Sequence, residues 1–244
     1  MLMSVIEPEL ASSVYGELAG ARVLLTGLTA SGGVDVARSF ADHKARLIIQ
    51  TPDLSPDLVE LTAHMAEQAC EVRMFDEPVH DQAAAVRLAQ KSATAFGGFD
   101  VVVNFIAAEQ PVGIADYDEL SDYVSDTLLP ATQITRVAAN RMRLMRNEGL
   151  ILNIVSMAPP ADAREMAVSS LIRATLADLT RREAQAWSDA AIRINAIGPR
   201  SMDACGHCLA SEPEIAALAM YLASRKGRQL TGQVFDAENA SLRC

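Results

Sequence analysis

ARVLLTGLTASGG, residues 21–33, places a run of aliphatic residues directly before a glycine-rich turn. The residues that follow, from about 33 to 43, repeat apolar side chains at the spacing of an amphipathic helix. A strand, a glycine turn and a helix in this order are typical of the first unit of a parallel α/β sheet. Glycines in such a turn let backbone N–H groups and a helix N-terminus approach a pyrophosphate. The stretch therefore predicts an α/β fold and a candidate nucleotide site.

The same alternation of strand and helix patterns continues along the chain. Strands are predicted at 45–50, 70–75, 100–105, 150–155, 192–197 and 233–237, and helices near 56–69, 81–96, 120–146, 165–187 and 212–223. Strands buried on both faces and joined by crossover helices form a doubly wound parallel sheet. We predict a single Rossmann-type α/β domain over 19–244, with about seven strands and helices on both faces. An arm or extra helix over 1–18 precedes it.

Charge and hydropathy exclude several classes of partner. The chain has 244 residues, with 21 Lys and Arg against 31 Asp and Glu, and a formal net charge of −10. This charge repels a phosphate backbone, so we expect no nucleic-acid partner. No apolar run reaches the roughly 20 residues that span a bilayer. The first residues carry acids where a signal peptide needs bases. We therefore expect a cytoplasmic protein without a membrane partner.

Cys205 and Cys208 form a CxxC pair, the spacing found in thiol redox sites and zinc half-sites. A second ligand pair is absent from the sequence, and the pair lies in a loop pattern instead of at a strand–helix junction. We therefore predict no metal site and interpret the pair as a coincidence of loop sequence. A redox or metal role is the alternative.

The motifs along the chain resemble those of the short-chain dehydrogenase/reductase family. That family opens with TGxxxGxG, which Thr26, Gly27 and Gly33 match, while Ser31 replaces the middle glycine beside Gly32. The resemblance covers nearly the whole chain. It continues through DVVVNFIA (100–107), NIVSM (153–157), IRINAIGPR (192–200) and LTGQVFDAENA (230–240). It implies a Rossmann fold, an NAD or NADP cofactor and hydride transfer.

The resemblance also assigns positions to the catalytic groups, and most of them are changed. Ser156 aligns with the catalytic serine, and Ser169, thirteen residues later, takes the place of the tyrosine. Arg173 stands at the lysine position and Leu128 at the asparagine position. A serine hydroxyl has a pKa far above neutral and does not replace a phenol as general acid. Arginine cannot lose its proton and differs from lysine in shape. Tyr117 or Tyr123 is the alternative proton donor.

The cofactor positions implied by the resemblance are altered as well. Thr51 stands where an NAD enzyme has an acid for the adenosine ribose, and Asn104 is what remains of the family's NNAG. Pro199 is followed by arginine instead of glycine, and the short 201–211 segment predicts a reduced substrate lid. Thr26, Gly27, Ser31, Gly32 and Gly33 would complete the site. We predict that NAD or NADP binding is weak or lost.

These changes favour a catalytically silent family member that acts as a binding, sensing or assembly module. One alternative is an active NAD(P)-dependent oxidoreductase with an atypical site at Ser156, Ser169 and Arg173. Another is a cofactor-independent lyase of the halohydrin dehalogenase type, a group that carries arginine at the position of Arg173. Ordinary packing roles also fit: Ser169 as a small helix residue, Arg173 paired with an acid, and the glycines as steric requirements of the turn.

The expected macromolecular partner is a second copy of the chain. The resemblance implies that the fourth and fifth helices pack across a two-fold axis. In this sequence the two helices carry apolar faces in VAANRMRLM (137–145) and SSLIRATLADL (169–179). We therefore expect a homodimer or homotetramer.

Overall fold

The computed structural model describes residues 15–109, 111, 116–200 and 209–238. In this part of the chain seven strands form one parallel sheet in the order β3-β2-β1-β4-β5-β6-β7. They are β1 Arg22–Thr26, β2 Arg46–Gln50, β3 Glu71–Phe75, β4 Val101–Ala108, β5 Gly149–Met157, β6 Ile192–Pro199 and β7 Val234–Ala237. The predicted single-domain Rossmann-type sheet is confirmed.

Six α-helices connect these strands: α1 Val34–Asp42, α2 Pro56–Gln68, α3 Gln82–Phe96, α4 Tyr117–Leu144, α5 Ala163–Ala186 and α6 Glu212–Ala223. Four of them begin at a side chain that accepts a hydrogen bond from a backbone N–H of the first turn. These caps are Ser55, Asp81, Asp116 and Asp162. Local sequence thus fixes where most helices start.

The core lies on both faces of the sheet because side chains alternate along each strand. Val23 and Leu25 belong to a cluster that includes residues of α1 and α6. Leu24, between them, belongs to a second cluster with residues of α3 and α4. A third cluster joins the ends of β4 and β5 to α4 and α5. Helices therefore cover both faces, as predicted.

The topology sets the position of the candidate site. β1 pairs with β2 on one side and β4 on the other, so the chain crosses over between them. Ligands of doubly wound sheets bind in the crevice at such a point, beyond the carboxyl ends of the strands. β4 and β5 extend furthest toward this edge, and Ala107 there pairs with Ser156.

Several expectations fall outside the described residues. They include most of the 1–18 arm, residues 201–208 of the shortened lid predicted at 201–211, and both Cys205 and Cys208. Within the described residues, no three His, Cys, Asp or Glu side chains are grouped closely enough to hold a metal ion. None of the described helices combines the length and apolar character needed to cross a membrane.

Candidate functional site

The three residues at catalytic positions lie on β5 and α5, near one edge of the sheet. Ser156 is half-buried at the end of β5 and lines a cavity of about 60 Å³. The described residues around this cavity include neither Ser169 nor Arg173. Those two lie one turn apart on α5.

Arg173 is held by an acid. Its Nη2 lies 2.5 Å from Oδ1 of Asp236 on β7, and the two side chains are only 17% and 21% exposed. Its Nη1 is buried and has no hydrogen-bond partner among the described residues. The guanidinium lies against Gly198 of β6, 3.6 Å from where a Cβ would stand. Arg173 therefore connects α5 to β6 and β7.

Ser169 and Leu128 occupy packing positions. Ser169 is buried on α5, and Ile172 and Leu176, at helical spacing from it, lie in the third core cluster. Leu128 of α4 belongs to the same cluster. The position that the resemblance gives to a water-holding asparagine is thus filled by an apolar contact between two helices.

Tyr123 is poorly suited to replace the missing phenol. Its hydroxyl donates a hydrogen bond to the backbone carbonyl of Glu109. Burial raises the pKa of Tyr123, and the charge of Glu109 adds to this, although a hydrogen bond with Thr127 lowers it. A general acid near neutral pH needs a shift in the opposite direction. The side chain of Tyr117, the other candidate, lies outside the described atoms.

Thr26 and Asn104, expected to contact a cofactor, are buried and bonded to each other. The Thr26 hydroxyl donates to Oδ1 of Asn104 at 2.8 Å, and Nδ2 of Asn104 donates to Oδ1 of Asn153 at 2.7 Å. The hydroxyl of Thr135 on α4 also donates to Oδ1 of Asn153, at 3.3 Å. This chain of hydrogen bonds connects β1, β4, β5 and α4. The sequence feature that could have predicted it is Asn153, a polar residue inside the apolar run LILNIV.

The glycines of the first turn are required by the packing itself. Gly27 has a φ of 73°, and a Cβ there would lie 2.2 Å from the backbone oxygen of Phe105. Gly33 has a φ of 87°, and its Cβ would lie 2.7 Å from the ring of Phe105. Both positions therefore exclude other residues without reference to any ligand.

Much of the hydrogen-bonding capacity of the turn is used internally. The N–H of Gly27 donates to Oε1 of Gln50 at 2.9 Å. Thr29 and Gly32 exchange backbone hydrogen bonds, and the Ser31 hydroxyl lies 3.3 Å from that of Thr29. The turn is thus bonded to itself and to the end of β2.

Asp53 binds the same turn from the loop after β2. Its carboxylate accepts a hydrogen bond from the N–H of Ala30 at 2.9 Å and another from the N–H of Ser55. These bonds hold the pKa of Asp53 below its ordinary value. Thr51, at the ribose-acid position, is buried, and its hydroxyl bonds the backbone of Asp53. An acid is therefore present near the expected position, but it is turned toward the protein.

Glu212 of α6 lies at the N-terminus of α1. Its Oε1 accepts a hydrogen bond from the N–H of Asp35 at 2.9 Å. Burial raises the pKa of Glu212, and this hydrogen bond opposes the rise. A cofactor pyrophosphate uses this end of the first helix in doubly wound folds.

Phe105 lines two cavities beside the turn. One, of about 60 Å³, is also lined by Ser156 and Glu212. The other, of about 190 Å³, is lined by Thr26, Gln50 and Val79 among others. Both are smaller than the roughly 300 Å³ at which ordinary ligand pockets begin.

Pro199, the last expected cofactor position, ends β6 and is half-buried. It pairs with Ala237 of β7, and the following Arg200 forms an ion pair with Glu238 at 2.5 Å. Sequence reasoning missed the residues that contact the cofactor positions, above all Asp53, Phe105, Glu212 and Asp236.

Known proteins share this architecture. Residues 27–206 match a family model described as enoyl-(acyl carrier protein) reductase. Oxidoreductase UcpA of Escherichia coli (strain K12) is 26% identical over 188 residues, which cover 75% of this chain and 70% of UcpA.

Solved structures agree with the same fold. A short-chain dehydrogenase/reductase from Serratia marcescens superposes with a TM-score of 0.74 at 18% identity, covering 91% of this chain and 98% of that one. The NADH-dependent reductase A1-R′, solved with NAD, gives a TM-score of 0.75 at 22% identity, covering 94% and 99%. With one family model matching most of its length, this chain belongs to the short-chain dehydrogenase/reductase family.

Proposed function

We propose that this protein does not perform ordinary NAD(P)-dependent hydride transfer and acts instead as a binding, sensing or assembly module on a short-chain dehydrogenase fold. The ion pair between Arg173 and Asp236 carries the proposal. In the family's reaction the cation at this position lowers the pKa of a tyrosine and holds the cofactor ribose. Here the cation faces an internal carboxylate, and Ser169 stands in place of the phenol.

The proton balance of the reaction supports this reading. Reduction of a carbonyl needs a proton for the oxygen as the hydride reaches the carbon. A serine hydroxyl cannot supply it near neutral pH, an arginine side chain is not a proton donor in this range, and the pKa of Tyr123 is shifted upward. Ser156 could orient a carbonyl, but orientation alone does not provide the proton.

Weak or absent cofactor binding belongs to the same proposal. A dinucleotide needs free backbone donors at the turn and the helix N-terminus. The N–H groups of Gly27, Ala30 and Asp35 already donate to the side chains of Gln50, Asp53 and Glu212. We therefore propose that NAD and NADP bind weakly or not at all.

The alternative is an active oxidoreductase with an atypical site, which the names of curated relatives such as UcpA favour. It requires binding of a nicotinamide nucleotide. Absence of binding to all four forms, NAD⁺, NADH, NADP⁺ and NADPH, would eliminate it.

One experiment decides between the two. The full chain is incubated with NADH or NADPH and a panel of aldehydes and ketones, and cofactor oxidation is followed by absorbance. Binding of all four nucleotides is measured by calorimetry in parallel. We expect no oxidation above the rate without protein. Steady cofactor-dependent carbonyl reduction, lost in the Ser156→Ala variant, would overturn the proposal.

A further inference from the structure

We infer that the protein fills its own dinucleotide site: the carboxylate of Glu212 takes the position of a cofactor phosphate, and the ring of Phe105 blocks the path along the turn. This inference rests on the proposed silent function and explains it physically. In this arrangement the glycine-rich turn after β1 packs against residues of α1, α6 and β4 and is not open to a ligand.

Glu212 lies where an anion would bind at the N-terminus of α1. Its Oε1 accepts a hydrogen bond from the N–H of Asp35, in the first turn after the N-cap Gly33. Helix N-termini attract anions because their first N–H groups are unpaired and the helix dipole is positive there. With Glu212 seated, a phosphate would have to displace it.

Electrostatics also opposes a phosphate at this position. Asp35, Asp53 and Glu212 all surround the turn, and Asp53 holds the N–H of Ala30. The nearby cation Arg38 is already paired with Asp35 at 3.1 Å. A pyrophosphate entering here would therefore meet carboxylates and no uncommitted cation among the described residues of the turn.

Phe105 supplies the steric part of the closure. Its ring lies close enough to Gly33 that a Cβ there would be 2.7 Å away, and its own backbone oxygen approaches Gly27. Phe105 also lines both cavities beside the turn. A dinucleotide bound along the turn would have to pass through the space that the ring fills.

The position of Glu212 in the chain fits this arrangement. Only ten residues, 201–210, separate Arg200 from Ser211, the N-cap of α6. Leu209 exchanges backbone hydrogen bonds with Asp236 and Glu238 beside β7. The start of α6 is thus tied to the sheet edge, which holds Glu212 against α1.

The test compares four single variants with the wild type. Glu212→Ala removes the internal anion, whereas Glu212→Gln keeps an oxygen that accepts from Asp35. Phe105→Ala opens the path along the turn. Glu214→Ala is the control. It removes a carboxylate from the same turn of α6, but this carboxylate accepts a hydrogen bond from the N–H of Ala210 and not from α1. Each protein is titrated with inorganic pyrophosphate and NADH by calorimetry and by thermal unfolding.

We expect neither probe to raise the Tm of the wild type, Glu212→Gln or Glu214→Ala. Pyrophosphate should raise the Tm of Glu212→Ala, and the affinity of Phe105→Ala for NADH should exceed that of the wild type by about tenfold or more. A wild type that binds NADH as tightly as the variants would overturn the inference, as would Glu212→Ala and Phe105→Ala both responding like the wild type.

These outcomes separate the inference from the function on which it rests. A wild-type protein that binds NADH without reducing any carbonyl would refute the internal closure and leave the silent function standing. A wild-type protein that turns over substrate would refute the proposed function directly.

Discussion

At the scale of single residues, we expect Asp236 to contribute to the stability of the folded protein because it compensates the charge of Arg173. The pair is largely removed from water, so loss of the acid leaves a cation without compensation. We expect Asp236→Asn to lower the free energy of unfolding by about 1–3 kcal/mol, below the ~3–5 kcal/mol of fully buried pairs because both side chains keep some exposure. Urea unfolding monitored by circular dichroism measures the change.

The control for this prediction lies on the same helix. Arg182 and Asp178 of α5 form an ion pair whose side chains are 75% and 56% exposed. Exposed pairs contribute about 0–1 kcal/mol, so Asp178→Asn should change stability little. Equal effects of Asp178→Asn and Asp236→Asn would show that the buried pair has no special role.

At the scale of elements, the polar chain across the sheet centre carries a second stability prediction. Asn153 accepts from both Asn104 and Thr135, and all three are buried. Asn153→Leu would remove the acceptor of both bonds and leave Nδ2 of Asn104 only its 3.4 Å bond to the Thr135 hydroxyl, at about 1–3 kcal/mol for each unsatisfied group. Guanidinium unfolding should show the loss. Asn140→Ala, on the exposed side of α4, should be nearly neutral, and a similarly neutral Asn153→Leu would contradict the role of the chain.

Strands and helices follow the sequence closely because hydrophobic periodicity and side-chain caps are local signals. The predicted helix over 81–96 forms from Gln82 to Phe96, directly after its cap Asp81. β5, predicted over 150–155, extends from Gly149 to Met157. Its last residues are held by pairing with the last residues of β4, for example Ser156 with Ala107. A pattern in the local sequence does not predict such pairing.

Motifs in the sequence indicated the catalytic and cofactor positions. They did not indicate which side chains form hydrogen bonds with those positions in the fold. Asp53 meets Ala30 across 23 residues, and Glu212 meets Asp35 across 177 residues. Neither carboxylate differs in sequence from a solvated surface acid. Only the fold, which brings the start of α6 to the start of α1, gives Glu212 its role. Such contacts are tertiary, and so they escaped prediction.

At the scale of the whole molecule, we propose that α4 and α5 take part in self-association. Leu129 and Leu144 of α4 and Met166 of α5 are 43%, 63% and 38% exposed. Large exposed apolar side chains favour an interface, and two-fold symmetry is the commonest way for identical chains to meet. We expect a homodimer or homotetramer, and we expect Leu129→Glu combined with Met166→Glu to dissociate it.

Sedimentation equilibrium over a concentration series measures the mass of the assembly in solution. Leu54→Glu provides the control. Leu54 is 62% exposed in the loop before α2, away from α4 and α5, so a charge there should leave the assembly intact. A wild type that sediments as a monomer at every concentration would contradict the prediction. Dissociation by Leu54→Glu as well would mean that added charge, and not the α4–α5 face, controls assembly. If the double variant alone dissociates and stays folded, the exposed apolar side chains of α4 and α5 contribute to assembly.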